Sequence, residues 1–301
     1  MVALLRVSSF CVKIIEYTMP LNLRGVLRVA KALFRLLTEL SSRAAISRLA
    51  GAFARSSFSR KLIPRFAKLY GIPMEHAEKS IDQYESLNAF FTRRLKPGLR
   101  PVDTDPNALV SPVDALITGM GPISDGTVLN VKGQRYSVEE LLNRSPRMIH
   151  YRNGYCYVLY LSPSDYHRIH SPVTGKMEET EAISGKVYPV NDFGLKHMNK
   201  VLSRNVRKVS YIRSSKGAVA VIKVGAFNVS SIRYVDDVVP EAVERGEELA
   251  YFEFGSTVVL LIENGTFVPE PGLAIGDKVQ VGQSLGVLRG KTITHKEGPS
   301  S

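Results

Sequence analysis

From Pro20 to about Ala54 the chain repeats apolar residues at spacings of three and four: Val26, Leu27, Ala30, Leu33, Phe34, Leu37 and Leu40. That period draws one apolar stripe along a helix. Arg24, Arg28, Lys31 and Arg35 keep the same period on another face. Such a helix suits the interface of an anionic membrane, and the pattern equally describes a surface helix packed on its own domain. A second basic stretch runs from Arg60 to Lys68. Over Ser86 to Arg100 a short helix is predicted, with a stop at Pro97-Gly98. Beyond it the texture changes to short β-rich runs, Ala115–Gly119, Tyr155–Leu161, Ala218–Val224 and Thr257–Ile262, separated by Gly, Pro, Asn and Ser. The pattern predicts an α+β protein, amphipathic and helical over residues 1–80 and β-rich over 81–301.

Composition narrows the class. The chain has 301 residues, 44% apolar and 23% charged, which is globular and excludes disorder, collagen and coiled coil. The net charge of +12 is concentrated at the start: residues 1–80 hold 14 Lys/Arg against 4 Asp/Glu. A basic segment on a nearly neutral body invites an anionic membrane surface or nucleic acid. No uncharged apolar run approaches a membrane-spanning length, and Arg6 and Lys13 break the apolar start that a secretory signal needs. Two cysteines, Cys11 and Cys156, exclude a disulfide framework and fit a reducing compartment. Neither a Gly-x-Gly-x-x-Gly turn nor a Walker loop occurs, so a nucleotide has no visible seat.

Three segments hold the candidate chemistry. Ser111-Pro112-Val113-Asp114 puts a carboxylate at a Pro-initiated turn, a position that a turn cap alone would explain. Asp165-Tyr166-His167-Arg168-Ile169-His170 offers two imidazoles at i and i+3. On a helix these would share a face, but no third ligand or His-Glu-x-x-His motif supports a metal, and acid–base work is the better fit. Glu253-Phe254-Gly255-Ser256-Thr257 leads into an apolar run. Gly-Ser there satisfies a tight turn. It also permits attack of the Ser256 hydroxyl on the carbonyl of Gly255, if a histidine takes the proton and a carboxylate orients it. Asp114, His170 and Ser256 would supply that set.

Two resemblances follow from these residues. Gly276 to Leu285 resembles the half-repeat of lipoyl- and biotinyl-type barrel-sandwich domains, without the Met-Lys-Met hairpin of a carrier. It implies a barrel-sandwich-like β domain and no carrier role. Over most of its length the chain resembles phosphatidylserine decarboxylases of the prokaryotic, pyruvoyl-dependent type. The likeness rests on Phe90-Phe91-Thr92-Arg93, Ser111 to Asp114, Asp165 to Pro172 with Gly175, Val224 to Ala226, and Gly255-Ser256-Thr257. Ala115 stands where that family usually has Gly after the Asp.

The resemblance implies a zymogen. His170, oriented by Asp114, would deprotonate Ser256 for cleavage between Gly255 and Ser256. The products would be a β chain, 1–255, and an associated α chain, 256–301. Ser256 would become a covalent pyruvoyl cofactor that forms a Schiff base with phosphatidylserine, and His167 would relay the proton after CO₂ leaves. No metal is implied. The enzyme would lie peripherally on the cytoplasmic face of a bacterial inner membrane and make phosphatidylethanolamine; a homo-oligomer is left open. Against this stand a pyruvoyl decarboxylase for a soluble amino acid, which leaves the basic helix without a purpose, and a Ser/His/Asp hydrolase, which lacks the Gly-x-Ser-x-Gly elbow. A noncatalytic nucleic-acid module using residues 1–80 ranks last, because Phe34 and Phe66 fall on the apolar stripe or in a short mixed run.

Overall fold

The structure is a computed structural model that describes residues 44–124, 127–131, 133–190, 192–226, 232–253 and 256–290. The stripe from Val26 to Leu40, Cys11, Phe254 and Gly255 lie outside these residues. Contacts separate Met1–Ser41 from Ser42–Ser301. The basic residues 44–80, which the sequence groups with the N-terminal segment, therefore sit in the unit that holds the sheets.

Three helices open that unit: α1 (Ala44–Arg55), α2 (Ile63–Tyr70) and α3 (Leu87–Phe91). Pro64 sits in the first turn of α2, and Gly71 closes it in the left-handed region at φ 63°. Ile63, Ala67 and Ile72 bury against Tyr84, Leu87 and Phe90 in a small core. Ser59 knits the helices, its Oγ donating to the Ala54 carbonyl (2.8 Å) and accepting from Leu87 N (2.9 Å). The helix expected to run on to Pro97 stops at Phe91. Thr92 Oγ1 bonds back to the Asn88 carbonyl at 3.0 Å, and Arg93 turns inward to the carbonyls of Ser164 and Asp165; tertiary partners outweigh helix continuation.

The strands, in chain order, are β1 (Ala108–Val110), β2 (Ala115–Pro122), β3 (Thr127–Val131), β4 (Gln134–Ser137), β5 (Tyr155–Leu161), β6 (Arg168–His170), β7 (Gly175–Ile183) and β8 (Arg207–Ser214). They continue with β9 (Gly217–Gly225), β10 (Ile232–Tyr234), β11 (Ala242–Val243), β12 (Glu248–Phe252), β13 (Ser256–Ile262), β14 (Phe267–Pro269), β15 (Lys278–Val279) and β16 (Ser284–Leu288). An antiparallel eight-stranded sheet has the order β11-β7-β8-β9-β13-β5-β2-β15. The four β-rich runs of the sequence form its contiguous centre, β9-β13-β5-β2. β13 is buried at every position, which is what an uninterrupted Val-Val-Leu-Leu-Ile run requires of a strand covered on both faces. Smaller sheets, β10-β12-β6 and β1-β16-β14, join it, and no closed barrel forms among the described residues.

Lys223, inside the apolar run of β9, is fully buried. Its Nζ donates to Ser210 Oγ at 2.6 Å and lies 5.1 Å from the Tyr234 ring centroid. Tyr234 is on β10, and its hydroxyl meets the same Ser210 at 2.8 Å. The β6-carrying sheet therefore packs on the face that presents Lys223. In the ladder Lys223 stands opposite Val258 and Gly225 opposite Ser256. Opposed and alternate residues share a face, so Ser256 points toward that smaller sheet as well.

Candidate active site

The Ser111–Asp114 turn is fastened to the chain's last strands. Ser111 N donates to the Gln283 carbonyl (2.8 Å), Gly282 N donates to the Ser111 carbonyl (3.0 Å), and Val281 N donates to Asp114 Oδ1 (2.9 Å). The Gly276–Leu285 half-repeat thus holds the Asp114 carboxylate. Arg100 takes the rest of it, with Nε 2.8 Å from Oδ1 and 3.0 Å from Oδ2, and Nη2 also on Oδ2.

His167 directly precedes β6 and His170 ends it, so neither imidazole sits on a helix and the i, i+3 spacing does not give them a shared helical face. His170 Nδ1 lies 2.7 Å from the Gly246 carbonyl, which can only accept. Nδ1 therefore holds the proton, and Nε2, at 3.1 Å, accepts from the Tyr166 hydroxyl. Gly246 has φ 85°, and a Cβ there would stand 2.4 Å from Val102 Cγ2, so glycine is needed to present that carbonyl. Burial lowers the pKa of His170; the Gly246 bond, Glu248 and Asp114 oppose the shift. Asp114 is within electrostatic reach of His170, and His170 N donates to the Pro112 carbonyl (2.8 Å). Their side chains are not hydrogen-bonded to each other.

His167 is fully buried and stacks on Phe91, with centroids 4.0 Å apart. Its Nε2 lies 2.9 Å from the Ser162 carbonyl and so carries the proton; Nδ1 has no partner. Burial first, and the nearby Arg93 cation second, push its pKa down to about 3, so the ring is neutral at physiological pH.

On the third segment, Phe252 N donates to the His167 carbonyl at 3.0 Å, four residues before Ser256. Ser256 itself stands opposite Leu161, the neighbour of the Ser162 that His167 holds. Ser256 is fully buried, and its Oγ has no partner; neither has Thr257 Oγ1. Glu253, three residues before Ser256, is gripped by Arg55 of α1 (3.2 Å) and Asn88 of α3 (3.3 Å). Of the Asp114, His170 and Ser256 set, the fold links the first two through Pro112, and Ser256 Oγ is hydrogen-bonded to neither of them.

Sequence reasoning missed Arg100, Gly246 and the Arg55–Asn88 grip on Glu253. Arg93 and Phe91 were visible only as part of a motif. One surface cleft runs along Pro101–Thr104 and Gln280–Ser284; Ser256 itself is fully buried. Among the described residues no group of three or more His, Cys, Asp or Glu side chains gathers as a metal site. None of the described helices is long and apolar enough to cross a membrane. An unpartnered buried hydroxyl directly after glycine is equipment for an acyl shift within the chain.

Comparison with known proteins agrees with this geometry. A family model described as phosphatidylserine decarboxylase matches residues 87–287. A phosphatidylserine decarboxylase proenzyme of Geobacillus kaustophilus is 44% identical over 256 residues, covering 85% of this chain and 96% of that protein. One from Anoxybacillus flavithermus is 42% identical over 263 residues, covering 87% and 98%.

Proposed function

The chain belongs to the phosphatidylserine decarboxylase family, and from that membership we propose that it is a precursor which cuts itself between Gly255 and Ser256 and leaves a pyruvoyl group at the new N-terminus. Its activity is the decarboxylation of phosphatidylserine to phosphatidylethanolamine, a carboxy-lyase step of phospholipid synthesis. The observation that carries the proposal is the buried, unpartnered Ser256 Oγ at the head of β13, directly after Gly255.

In the precursor, Ser256 Oγ attacks the Gly255 carbonyl and its proton passes to an imidazole. The peptide becomes an ester, and elimination then releases the Gly255 carboxylate and splits the chain. Hydrolysis with loss of ammonia leaves the pyruvoyl group on residues 256–301, which stay paired with the β chain through the ladders of β13 to β5 and β9. The pyruvoyl carbonyl supplies an electron sink for the departing CO₂.

His170 is the base in this reading, with Asp114 as its electrostatic support. The fixed tautomer favours it, since Nδ1 is anchored on Gly246 and Nε2 is the basic nitrogen. His167, packed on Phe91, returns a proton to the product carbon. One observation favours the opposite assignment: Nδ1 of His167 has no partner, whereas both nitrogens of His170 are engaged.

Docking on the anionic cytoplasmic face of a bacterial inner membrane completes the proposal. Leu49 and Phe53, one turn apart on α1, are exposed at 72% and 51%, and Phe58 at 77%. Arg60, Lys61, Arg65 and Lys68 follow. Apolar side chains beside basic ones fit a lipid headgroup layer.

A denaturing intact-mass spectrum tests the cleavage. Two chains separated after Gly255, the smaller lacking one ammonia relative to a serine-started peptide, are expected. A single chain of 33.3 kDa from folded protein would sink the cofactor.

A further inference from the structure

Arg93 is a buried cation with no ion-pair partner among the described residues. It is 4% exposed. Its Nη2 donates to two carbonyls, Ser164 (3.0 Å) and Asp165 (3.3 Å), and its guanidinium lies 5.3 Å from the Phe90 ring centroid. Nε and Nη1 have no partner. Burying a guanidinium with donors unmet is costly unless something meets them. The carboxylates that act on it electrostatically, Asp165 and Asp114, are committed elsewhere. Asp165 accepts from Ser162 N (2.7 Å) and Ser162 Oγ (2.8 Å), and Asp114 from Arg100 and Val281.

The position of this cation matters more than its burial. The turn Ser162–Asp165 that Arg93 grips begins next to Leu161, the residue opposite Ser256, and its Ser162 carbonyl holds His167. Unpartnered polar atoms of Arg93, His167 and Ser256 thus gather around one short turn. We propose that Arg93 is the anion site of the mature enzyme and binds the phosphodiester of the substrate's headgroup. This rests on the decarboxylase reading above.

The phosphodiester is favoured over the carboxylate by the energetics of the reaction. A guanidinium paired with the carboxylate that leaves as CO₂ would stabilise the ground state and lose its partner on the way to the transition state. A phosphodiester keeps its charge throughout, so its pairing lowers the concentration needed without raising the barrier. There is a second consequence. Arg93 repels a proton from His167, so a bound anion offsets that repulsion and raises the proton affinity of His167 when substrate is present.

The test uses the mature, self-cleaved enzyme and cyanoborohydride trapping, in which the amine condenses with the ketone, water leaves, and hydride reduction fixes the adduct, so the α chain gains the amine's mass less one oxygen. Glycerophosphoethanolamine carries the phosphodiester; ethanolamine lacks it; serine brings the carboxylate alone. In the wild type the phosphodiester should lower the half-saturating concentration about tenfold relative to ethanolamine. Arg93→Gln should abolish that advantage, so that the variant takes both amines at the same half-saturating concentration, and Arg93→Lys should retain part of it. Loss of a preference for serine, with the phosphodiester advantage intact, would assign the cation to the carboxylate and overturn the proposal. So would equal weakening of all three amines, or no change. If both variants keep the wild-type melting temperature yet remain uncut, Arg93 serves processing and the proposal fails. A wild type that traps no amine at all sinks the decarboxylase reading itself, a separate and recognisable result.

Discussion

Arg100 holds Asp114 from fourteen residues away, its Nε 2.8 Å and 3.0 Å from the two carboxylate oxygens. Both side chains are mostly buried, so deleting one strands the other. Arg100→Ala should destabilise the fold by about 3 kcal/mol, read by denaturant melts in a Ser256→Ala background that removes processing from the comparison. Cleavage in the otherwise native chain should slow as well, because Asp114 loses its fixed place beside His170. A melt unchanged by Arg100→Ala would show the pair to be a surface contact without consequence.

The two histidines separate by outcome. Ser256→Ala and His170→Ala should each leave one full-length chain, whereas His167→Ala should still yield some cleavage and lose decarboxylation. The reverse result, a cleaved His170→Ala and an uncut His167→Ala, would exchange their roles, as the contact of His167 with Phe252 and Ser162 allows.

Glu253 ties the segment ahead of Ser256 to α1 and α3. Glu253→Gln should slow precursor cleavage by about tenfold, since each lost charge-assisted bond near the cleavage site is worth about 1.5 kcal/mol. Once cleaved, the enzyme should turn over at the wild-type rate. Equal loss in both steps would mean that the grip supports the whole site and not cleavage alone.

Lys223 gives a pH signature. Burial pushes its ammonium down to about 7, while the unfolded chain holds the proton up to about 10.5. Between those values the unfolded state binds more protons, so stability rises with pH; below 7 the full penalty remains. Lys223→Met, which fills the same space without a charge, should melt higher than wild type near pH 7. Its advantage should shrink toward pH 10 by roughly 1 kcal/mol per pH unit. A difference that stays constant with pH would refute the buried-cation account.

For the membrane face, Leu49→Ser, Phe53→Ser and Phe58→Ser combined should weaken binding to anionic vesicles, each buried side chain contributing roughly 1.5–3 kcal/mol. Sedimentation with vesicles of anionic and of zwitterionic lipid measures it. Unchanged binding would move the docking surface away from α1.

The sequence by itself determined what depends on short spacing. The four β-rich runs are β2, β5, β9 and β13 because alternating or continuous apolar residues bounded by turn formers fit only a strand. The Gly-Ser-Thr and Asp-Tyr-His-Arg-x-His segments pointed to the family because each motif is contiguous in the chain. Tertiary structure decided the rest. Only the ladder puts Ser256 opposite Leu161, whose neighbour Ser162 holds His167. The helix from Leu87 ends at Phe91, short of Pro97, because Arg93 finds carbonyls more than seventy residues away. Lys223 stands inside an apolar run, and only Ser210 and Tyr234, from other strands, give its ammonium a place there. In each case the deciding partner is distant in sequence, and local pattern carries no information about which remote groups a folded chain brings within hydrogen-bond reach.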